Sequence, residues 1–278
     1  DWAIRATRAR TLLPERPHVG ALLNFYLLLL ELQAPLYSPA DAKRWLPIVG
    51  VVEPSSLPRF RLDLLPIDEL AVRFGRFCQG VPGRAPEPIK RAARIMSKAA
   101  EQKQNMLLRA FLNGSDFRVE SSELGCEPVP LAFLPRGFFM PIAEALLNEV
   151  EVPVGTAPMQ ACPMCGWPPQ VSMLQDETGV QGNRRLVCSL CAATWSFPRS
   201  LCPACGQSGD NGLEFHVDDD FPHVRVEECK SCRRYLKTVD LRIAGHAVPL
   251  VDDLATPELD LWAVRRGLEK IAPNVLGL

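Results

Sequence analysis

The chain has 278 residues, a length that favours two domains, or one large domain with an appendage. Hydrophobic residues make up 47% and charged residues 23% of it, a balance typical of globular proteins that excludes disordered and fibrous classes. Its 31 Lys and Arg residues are matched by 32 Asp and Glu residues, so the bulk charge does not indicate a nucleic acid or an anionic membrane as partner.

The longest uncharged apolar run, residues 19–30, is shorter than the roughly 20 residues that a membrane-spanning helix needs. We therefore expect a core helix at this place and no membrane insertion. Arginines at positions 5, 8 and 10 replace the apolar stretch that a signal peptide would carry, so no export signal is expected either.

Apolar residues at helical spacing, separated by prolines, predict that the first half of the chain is helical. Ser38 followed by proline is typical of a helix start. The fold class expected is α+β and multidomain, with an α-helical bundle over residues 1–158. The predicted helices of this half cover residues 21–33, 39–45, 66–77, 87–113 and 141–150.

The second half has a different residue pattern, which begins after a linker-like stretch at residues 151–160. Short runs of β-branched and aromatic residues alternate there with cysteine and glycine turns, and a helix is expected at residues 257–271. A cysteine pattern used twice predicts two small β modules, residues 159–199 and residues 200–278, the second of which includes the C-terminal helix. The predicted strands cover residues 170–174, 185–188, 194–197, 213–216, 224–227 and 235–241.

Eight of the ten cysteines form four CxxC pairs, two in each module. Each module opens with the same shape, CPMCG at 162–166 and CPACG at 202–206, and carries its second pair after 22 or 23 further residues. Two thiolates separated by two residues can face one ion where the backbone turns tightly, and a following glycine allows a left-handed conformation. Two such turns complete a tetrahedral shell of four sulfurs, so each module is predicted to hold one metal ion.

The simplest assignment pairs the first CxxC with the second and the third with the fourth, although an interleaved assignment is also compatible with the spacing. Disulfides are disfavoured because a chain of this length without an export signal is expected where thiols stay reduced. Zinc and iron both suit four thiolates, and a structural or a redox role stays open. The predicted ligands are Cys162, Cys165, Cys188 and Cys191 at the first site and Cys202, Cys205, Cys229 and Cys232 at the second.

The other chemistry-bearing residues give weaker signals. The four histidines show no ligand spacing, although His216 and His223 lie between the CxxC pairs of the second module. Cys78 and Cys126 are expected to be incidental thiols, and residues 218–220, three aspartates, a solvated turn. The sequence carries no phosphate-binding glycine loop and no Ser/His/Asp set, so no chemistry beyond metal ligation is visible in it.

The chain resembles the formate dehydrogenase accessory protein family (FdhE). The resemblance covers most of residues 160–278 in motif detail, whereas the helical half is similar only in length and texture. It rests on CPMCG at 162–166, Arg184, CSLC at 188–191, Trp195, CPACGQ at 202–207, Glu227, CKSC at 229–232, YLK at 235–237, VDDLA at 251–255, Leu259, Asp260 and Asn274.

The resemblance implies a cytoplasmic protein with a helical N-terminal domain, two rubredoxin-like modules and iron held by the eight paired cysteines. It also implies a maturation factor, and not a catalyst, that binds the catalytic subunit of a respiratory formate dehydrogenase before that subunit is exported. The metal sites would then scaffold or poise the docking surface, and homo-oligomerisation is left open.

Two other functions fit a pair of four-cysteine modules. A nucleic-acid-binding zinc ribbon is disfavoured because residues 161–278 carry 12 basic against 15 acidic residues, whereas phosphate neutralisation dominates nucleic-acid affinity. A rubredoxin-like electron carrier would have no need of the large helical half.

Overall fold

The polypeptide, described by a computed structural model over residues 2–50, 57–151, 158–208 and 212–277, divides into two compact units. A helical unit comprises residues 25–151, and a sheet unit comprises residues 1–24 and 152–276. The expected α+β multidomain class is confirmed. The expected linker at 151–160 lies largely outside the described residues, since 152–157 are not among them.

The helices account for most of the helical unit and flank the strands of the sheet unit. They are α1 (Trp2–Glu15), α2 (Gly20–Gln33), α3 (Pro39–Val49), α4 (Ile67–Gln79), α5 (Glu87–Lys98), α6 (Glu101–Leu112), α7 (Arg118–Leu124), α8 (Pro128–Leu147), α9 (Pro249–Leu254) and α10 (Pro257–Arg265). The strands are β1 (Pro169–Glu177), β2 (Val180–Cys188), β3 (Thr194–Ser196), β4 (Leu213–Val217), β5 (Val224–Cys229), β6 (Arg234–Asp240) and β7 (Glu269–Lys270).

The helical unit is built around α4, which packs against α5, α6 and α8. Phe74 of α4 and Phe138 of α8 meet edge to face, with ring centroids 5.4 Å apart, a geometry that the aromatic quadrupole favours. The start of α3 follows the sequence signal, because the Ser38 hydroxyl accepts a hydrogen bond from the amide of Asp41.

The single long helix predicted over residues 87–113 is wrong, since the chain leaves the helical conformation between α5 and α6. Ala99 and Ala100 are extended, with ψ of 146° and 151°. The buried Gln104 amide donates to the Met96 carbonyl at the end of α5, at 2.9 Å, and so satisfies a group that the break exposes. Alanine favours helix, so the sequence carries no local sign of this break.

The sheet unit contains one continuous sheet, with the strand order β3-β2-β1-β6-β5-β4. Strands β1 to β3 form an antiparallel meander, and strands β4 to β6 form another. The two meanders join where β1 pairs in parallel with β6, and β7 also pairs with β6. All six predicted strands are present, and the two repeated modules share a single sheet.

Helices α9 and α10 cover one face of this sheet. The apolar core beneath them includes Val171, Val226 and Tyr235 from the strands together with Leu250 and Leu259 from the helices. The helix predicted over residues 257–271 is shorter in the structure and ends at Arg265, because Gly267 takes a left-handed φ of 73° and the chain then forms β7.

Helix α1, which the sequence predicts to lie in a helical domain of residues 1–158, belongs to the sheet unit. It contacts α9, and its buried Arg8 donates two hydrogen bonds to Asp252, of 3.0 Å from Nε and 2.5 Å from Nη2. The sequence does not predict this association, because it depends on a charge pair between residues 8 and 252. These residues are far apart in sequence and leave no local pattern.

Among the residues that the structure describes, two stretches, Pro17–Leu36 and Pro128–Leu147, are long and apolar enough to span a membrane by length and composition alone. The sequence predicts a core helix in the first, whereas in the second it predicts a helix only over residues 141–150. The second is α8, whose residues are mostly buried within the helical unit, as is also usual for the central helix of a globular domain.

Candidate metal centre

The eight paired cysteines come together as two separate quartets in the sheet unit. The first quartet is Cys162, Cys165, Cys188 and Cys191, and the second is Cys202, Cys205, Cys229 and Cys232. This is the grouping of first pair with second and third with fourth, and it excludes the interleaved one. Within each quartet the sulfur atoms lie within 4.8 Å of one another.

Each quartet is held by two tight turns. One CxxC turn precedes the first strand of its meander, and the other follows directly on the second strand, which ends at Cys188 in β2 and at Cys229 in β5. Backbone amides of the turns donate to sulfur, as from Met164 to Cys162 at 3.4 Å and from Ala204 to Cys202 at 3.3 Å. The turns therefore stabilise thiolates through the backbone.

The residue after each CxxC has a positive φ in all four turns. Two are the glycines expected from the sequence, Gly166 at 79° and Gly206 at 73°, and the others are Ala192 at 57° and Arg233 at 58°. Left-handed backbone is costly for residues with a Cβ, so the second turn of each module stores strain that the closed quartet must offset.

The spacing of the sulfurs fits a tetrahedral ion. Four sulfurs at roughly 2.3 Å from a central metal would be about 3.8 Å from one another. The distances are 3.6 Å for Cys162–Cys191 and 3.4 Å for Cys165–Cys188 in the first quartet, and 3.8 Å for Cys202–Cys232 in the second. A disulfide would need about 2.05 Å, and all of these cysteines are free.

The thiol pKa values diverge within each quartet. Burial raises the pKa of Cys165 and Cys191, whereas hydrogen bonds from the other three thiols outweigh burial and lower the pKa of Cys162. In the second quartet, burial raises the pKa of Cys202, whereas the backbone amides of Ser231 and Cys232 in the same turn outweigh burial and lower the pKa of Cys229. A cation that binds a quartet displaces the protons of its thiols, so metal binding is coupled to proton release.

The two quartets differ in exposure. All four cysteines of the first are buried, whereas in the second Cys205 is exposed and Cys232 is half-buried. Solvent and larger reagents therefore reach the second quartet more readily.

The residues given weak signals in the sequence have structural partners. His216 lies 3.2 Å from the buried carboxylate of Glu228 and against the ring of Trp262, and His223 lies 3.0 Å from Asp252. Glu214, His216 and Glu228 form a third cluster of potential ligands, but lysine and arginine side chains pair with both of its carboxylates. Neither histidine joins a quartet.

Several charged residues that support the family resemblance have no role predicted from the sequence. In the structure they form buried ion pairs. Arg184 of β2 lies 2.5 Å from Glu227 of β5, and both side chains are only 1% exposed. Arg184 also donates to the Leu201 carbonyl in the segment between β3 and β4, at 3.2 Å. This pair therefore ties the first meander to the second.

A second buried set lies between β6 and the C-terminal elements. The Lys237 ammonium is 2.6 Å from Asp260 and 2.9 Å from Asp253, and Lys270 is 2.8 Å from Asp253. The Tyr235 hydroxyl donates to Asp260 at 2.8 Å. Their scattered spacing in the sequence gave no ion-pair signal, because each pair joins elements that meet only in the fold.

Two family models match the cysteine-rich half of the chain. The one described as "FdhE, central domain" matches residues 161–199, and the one described as "FdhE, C-terminal domain" matches residues 201–276. Each of these segments contains one complete quartet.

Curated relatives named "Protein FdhE homolog" are similar over longer stretches. One from Aquifex aeolicus (strain VF5) is 33% identical over 155 residues, which are 56% of this chain and 55% of that protein. One from Pseudomonas aeruginosa is 29% identical over 247 residues, 83% of this chain and 77% of that protein. The match to a relative from Stutzerimonas stutzeri (strain A1501) spans 37% of its length, so the chain covers only part of some relatives.

A solved structure resembles the whole chain. The crystal structure of the FdhE protein from Pseudomonas aeruginosa superposes with a TM-score of 0.73 at 26% identity, and covers 99% of this chain and 94% of that one. The likeness thus includes the helical half, which the two family models leave out.

Proposed function

The chain belongs to the FdhE family, and from this premise we propose that it is an accessory protein for the maturation of formate dehydrogenase. It binds the catalytic subunit of that enzyme in the cytoplasm and catalyses no reaction itself. The observation that carries the proposal is the pair of complete cysteine quartets within the two segments that match the family.

We propose iron as the ion in both quartets, with zinc as the alternative. Four thiolates in a tetrahedral arrangement suit either metal, and the sulfur spacing above accommodates both. A bound ion neutralises thiolate charge and closes the strained turns, so at the least it stabilises the sheet unit. Iron would add a one-electron couple, which zinc lacks. Metal analysis of protein purified without oxygen, together with its absorption spectrum, decides between them.

The experiment is a deletion strain of a bacterium that carries this chain and a respiratory formate dehydrogenase. We expect formate dehydrogenase activity to be lost and to return when the wild-type chain is supplied. The variant Cys188→Ser should fail to restore it, whereas Cys126→Ser, which alters a half-buried thiol outside both quartets, should restore it fully. Full activity in the deletion strain would refute the proposed function.

Binding is tested separately by co-purification with the formate dehydrogenase catalytic subunit. The wild type and Cys126→Ser should retain the subunit, and Cys188→Ser should lose it. If the wild type retains no subunit while the deletion strain still lacks activity, the protein acts on maturation without a stable complex.

A further inference from the structure

Strand β4 lies at an open edge of the sheet. It is the last strand of the path and pairs with β5, from Leu213 opposite Cys229 to Val217 opposite Arg225. The opposite edge strand, β3, has three residues, whereas β4 has five. An edge strand presents unpaired backbone groups to any chain that can align with it.

The hydrogen-bond pattern shows which groups of β4 point outward. The amide of Lys230 donates to the carbonyl of Gly212 at 3.1 Å, which makes residues 212 and 230 a hydrogen-bonded pair. In an antiparallel ladder such pairs alternate, so Glu214 and His216 bond to β5 while Phe215 and Val217 direct their N–H and C=O groups away from it. No backbone hydrogen bond among the described residues engages those outward groups of Phe215 and Val217.

The side chains of the same two residues are apolar and exposed. Phe215 is 47% and Val217 is 63% exposed, and both lie on one face because they are two residues apart. The Arg225 guanidinium packs over the Phe215 ring at 4.5 Å, which holds the ring in place. Phe215 and Val217 therefore combine outward-facing backbone groups with exposed apolar side chains on one short segment.

The charge beside this edge is negative. Three consecutive exposed aspartates, residues 218–220, follow β4 directly. Glu214 lies on the other face of β4 and is half-buried. A strand added at this edge would be favoured by basic residues at its end beside the aspartates.

From these observations we propose that the β4 edge is a docking site for an extended segment of another polypeptide. The segment adds as a further strand, with alternate apolar side chains against Phe215 and Val217 and basic residues beside residues 218–220. That this polypeptide is the maturation client rests on the proposed function; the recognition itself does not. Because Leu213 pairs with Cys229, the added strand would run beside the more exposed quartet.

The probe is a fluorescein-labelled synthetic peptide of alternating valine and threonine flanked by lysines, titrated with the full chain and followed by fluorescence anisotropy. We expect saturable binding that weakens as salt rises, because exposed charges are screened. A counterpart flanked by glutamates should bind at least roughly tenfold more weakly, which reports the acidic end of the site. Absence of saturable binding by the lysine-flanked peptide would overturn the proposal.

Two variants test the edge itself. Val217→Pro removes an outward N–H while sparing the hydrogen bonds to β5, and Phe215→Lys removes the ring and adds a repelling charge. Each should weaken the lysine-flanked peptide by about tenfold or more. Val180→Lys changes an exposed valine (51%) at the turn end of β2. It is the matched control for Phe215→Lys and should bind as the wild type does. Equal weakening by Val180→Lys, or none by either edge variant, would refute the site.

Metal content and circular dichroism of each variant show whether it is folded, and if Val217→Pro unfolds, Phe215→Lys still decides. If the catalytic subunit co-purifies equally with wild type and both edge variants, the proposed function stands and this site is refuted as its dock. If the subunit fails to bind the wild type but the peptide binds as described, the proposed function fails and the site stands. A dimer of this chain that Val217→Pro abolishes would assign the edge to a second copy and overturn the proposal.

Discussion

Lys237 is a charged residue in the interior of the sheet unit. Its side chain is fully buried, and its ammonium group donates to the Asp253 and Thr256 carbonyls in addition to its two carboxylate partners. We expect Lys237→Met to lower the free energy of unfolding of this unit by about 3–5 kcal/mol, because the two buried carboxylates would keep only one cation, Lys270, and one negative charge would stay uncompensated. Urea denaturation followed by tryptophan fluorescence measures this loss.

The matched control is Lys43→Met, which removes a 70% exposed lysine whose partner, Glu149, is 3.8 Å away. Exposed pairs contribute at most about 1 kcal/mol, so its unfolding curve should nearly overlay that of the wild type. Similar losses in the two variants would mean that the buried set contributes nothing beyond ordinary surface pairing.

For individual residues, the sequence predicted the eight ligand candidates and their grouping. CxxC spacing is a local signal, because the two residues between the cysteines set the turn. It did not predict the left-handed Ala192 and Arg233, since neither residue type favours that conformation. It also missed Arg184 with Glu227, because charge pairing over 43 positions has no periodic signature.

Among the elements, α1 is joined to α9 by Asp252, whose carboxylate accepts from Arg8 and lies against His223. Burial alone would raise the pKa of Asp252, but hydrogen bonds from His223 and Arg8 outweigh it and hold this pKa below its usual value of 3.8. The ionised form therefore stabilises the fold. This stabilisation is complete above the pKa of the unfolded chain and is lost as pH falls through the lower pKa of the folded protein.

We therefore expect Asp252→Asn to be less stable than the wild type by about 3 kcal/mol at pH 7, with a difference that shrinks as pH falls below about 4. Urea midpoints at a series of pH values measure the difference, and loss of metal in acid, which both proteins share, cancels from it. Asp116→Asn changes an exposed carboxylate (65%) and should follow the wild type at every pH. A difference between Asp252→Asn and wild type that stays constant down to pH 3 would contradict this role.

The elements that the sequence predicted best are those whose signal lies within a few residues. Of the seven strands of the cysteine-rich half, all but β7 were predicted, since β-branched runs between cysteine turns are local. The break between α5 and α6 was not, because the side chain of Gln104 supports it from the next helix, against the preference of two alanines. The association of α1 with the sheet unit was likewise not predicted, since it depends on the pairing of Arg8 with the distant Asp252.

For the sheet unit as a whole, the two repeated modules are not independent. Their meanders share one sheet through β1 and β6, and the Arg184–Glu227 pair crosses between them. Hydrogen bonding across the joint continues in the side chains, where the Ser172 and Thr238 hydroxyls meet at 2.5 Å. Opening one quartet therefore disturbs strands that position the other.

Unequal exposure of the two quartets makes metal loss stepwise. With a chelator in excess, we expect release in two phases of equal size, the faster from the second quartet because Cys205 is exposed and Cys232 half-buried. Cys205→Ser should abolish the fast phase, since one of its four ligands is gone, and it should accelerate the slow phase because the sheet is shared. A colorimetric indicator of released metal gives both rates, and Cys126→Ser should release metal as the wild type does. Release in a single phase from the wild type would mean that the shared sheet opens both quartets together, so that exposure of individual sulfurs does not control access to the metal.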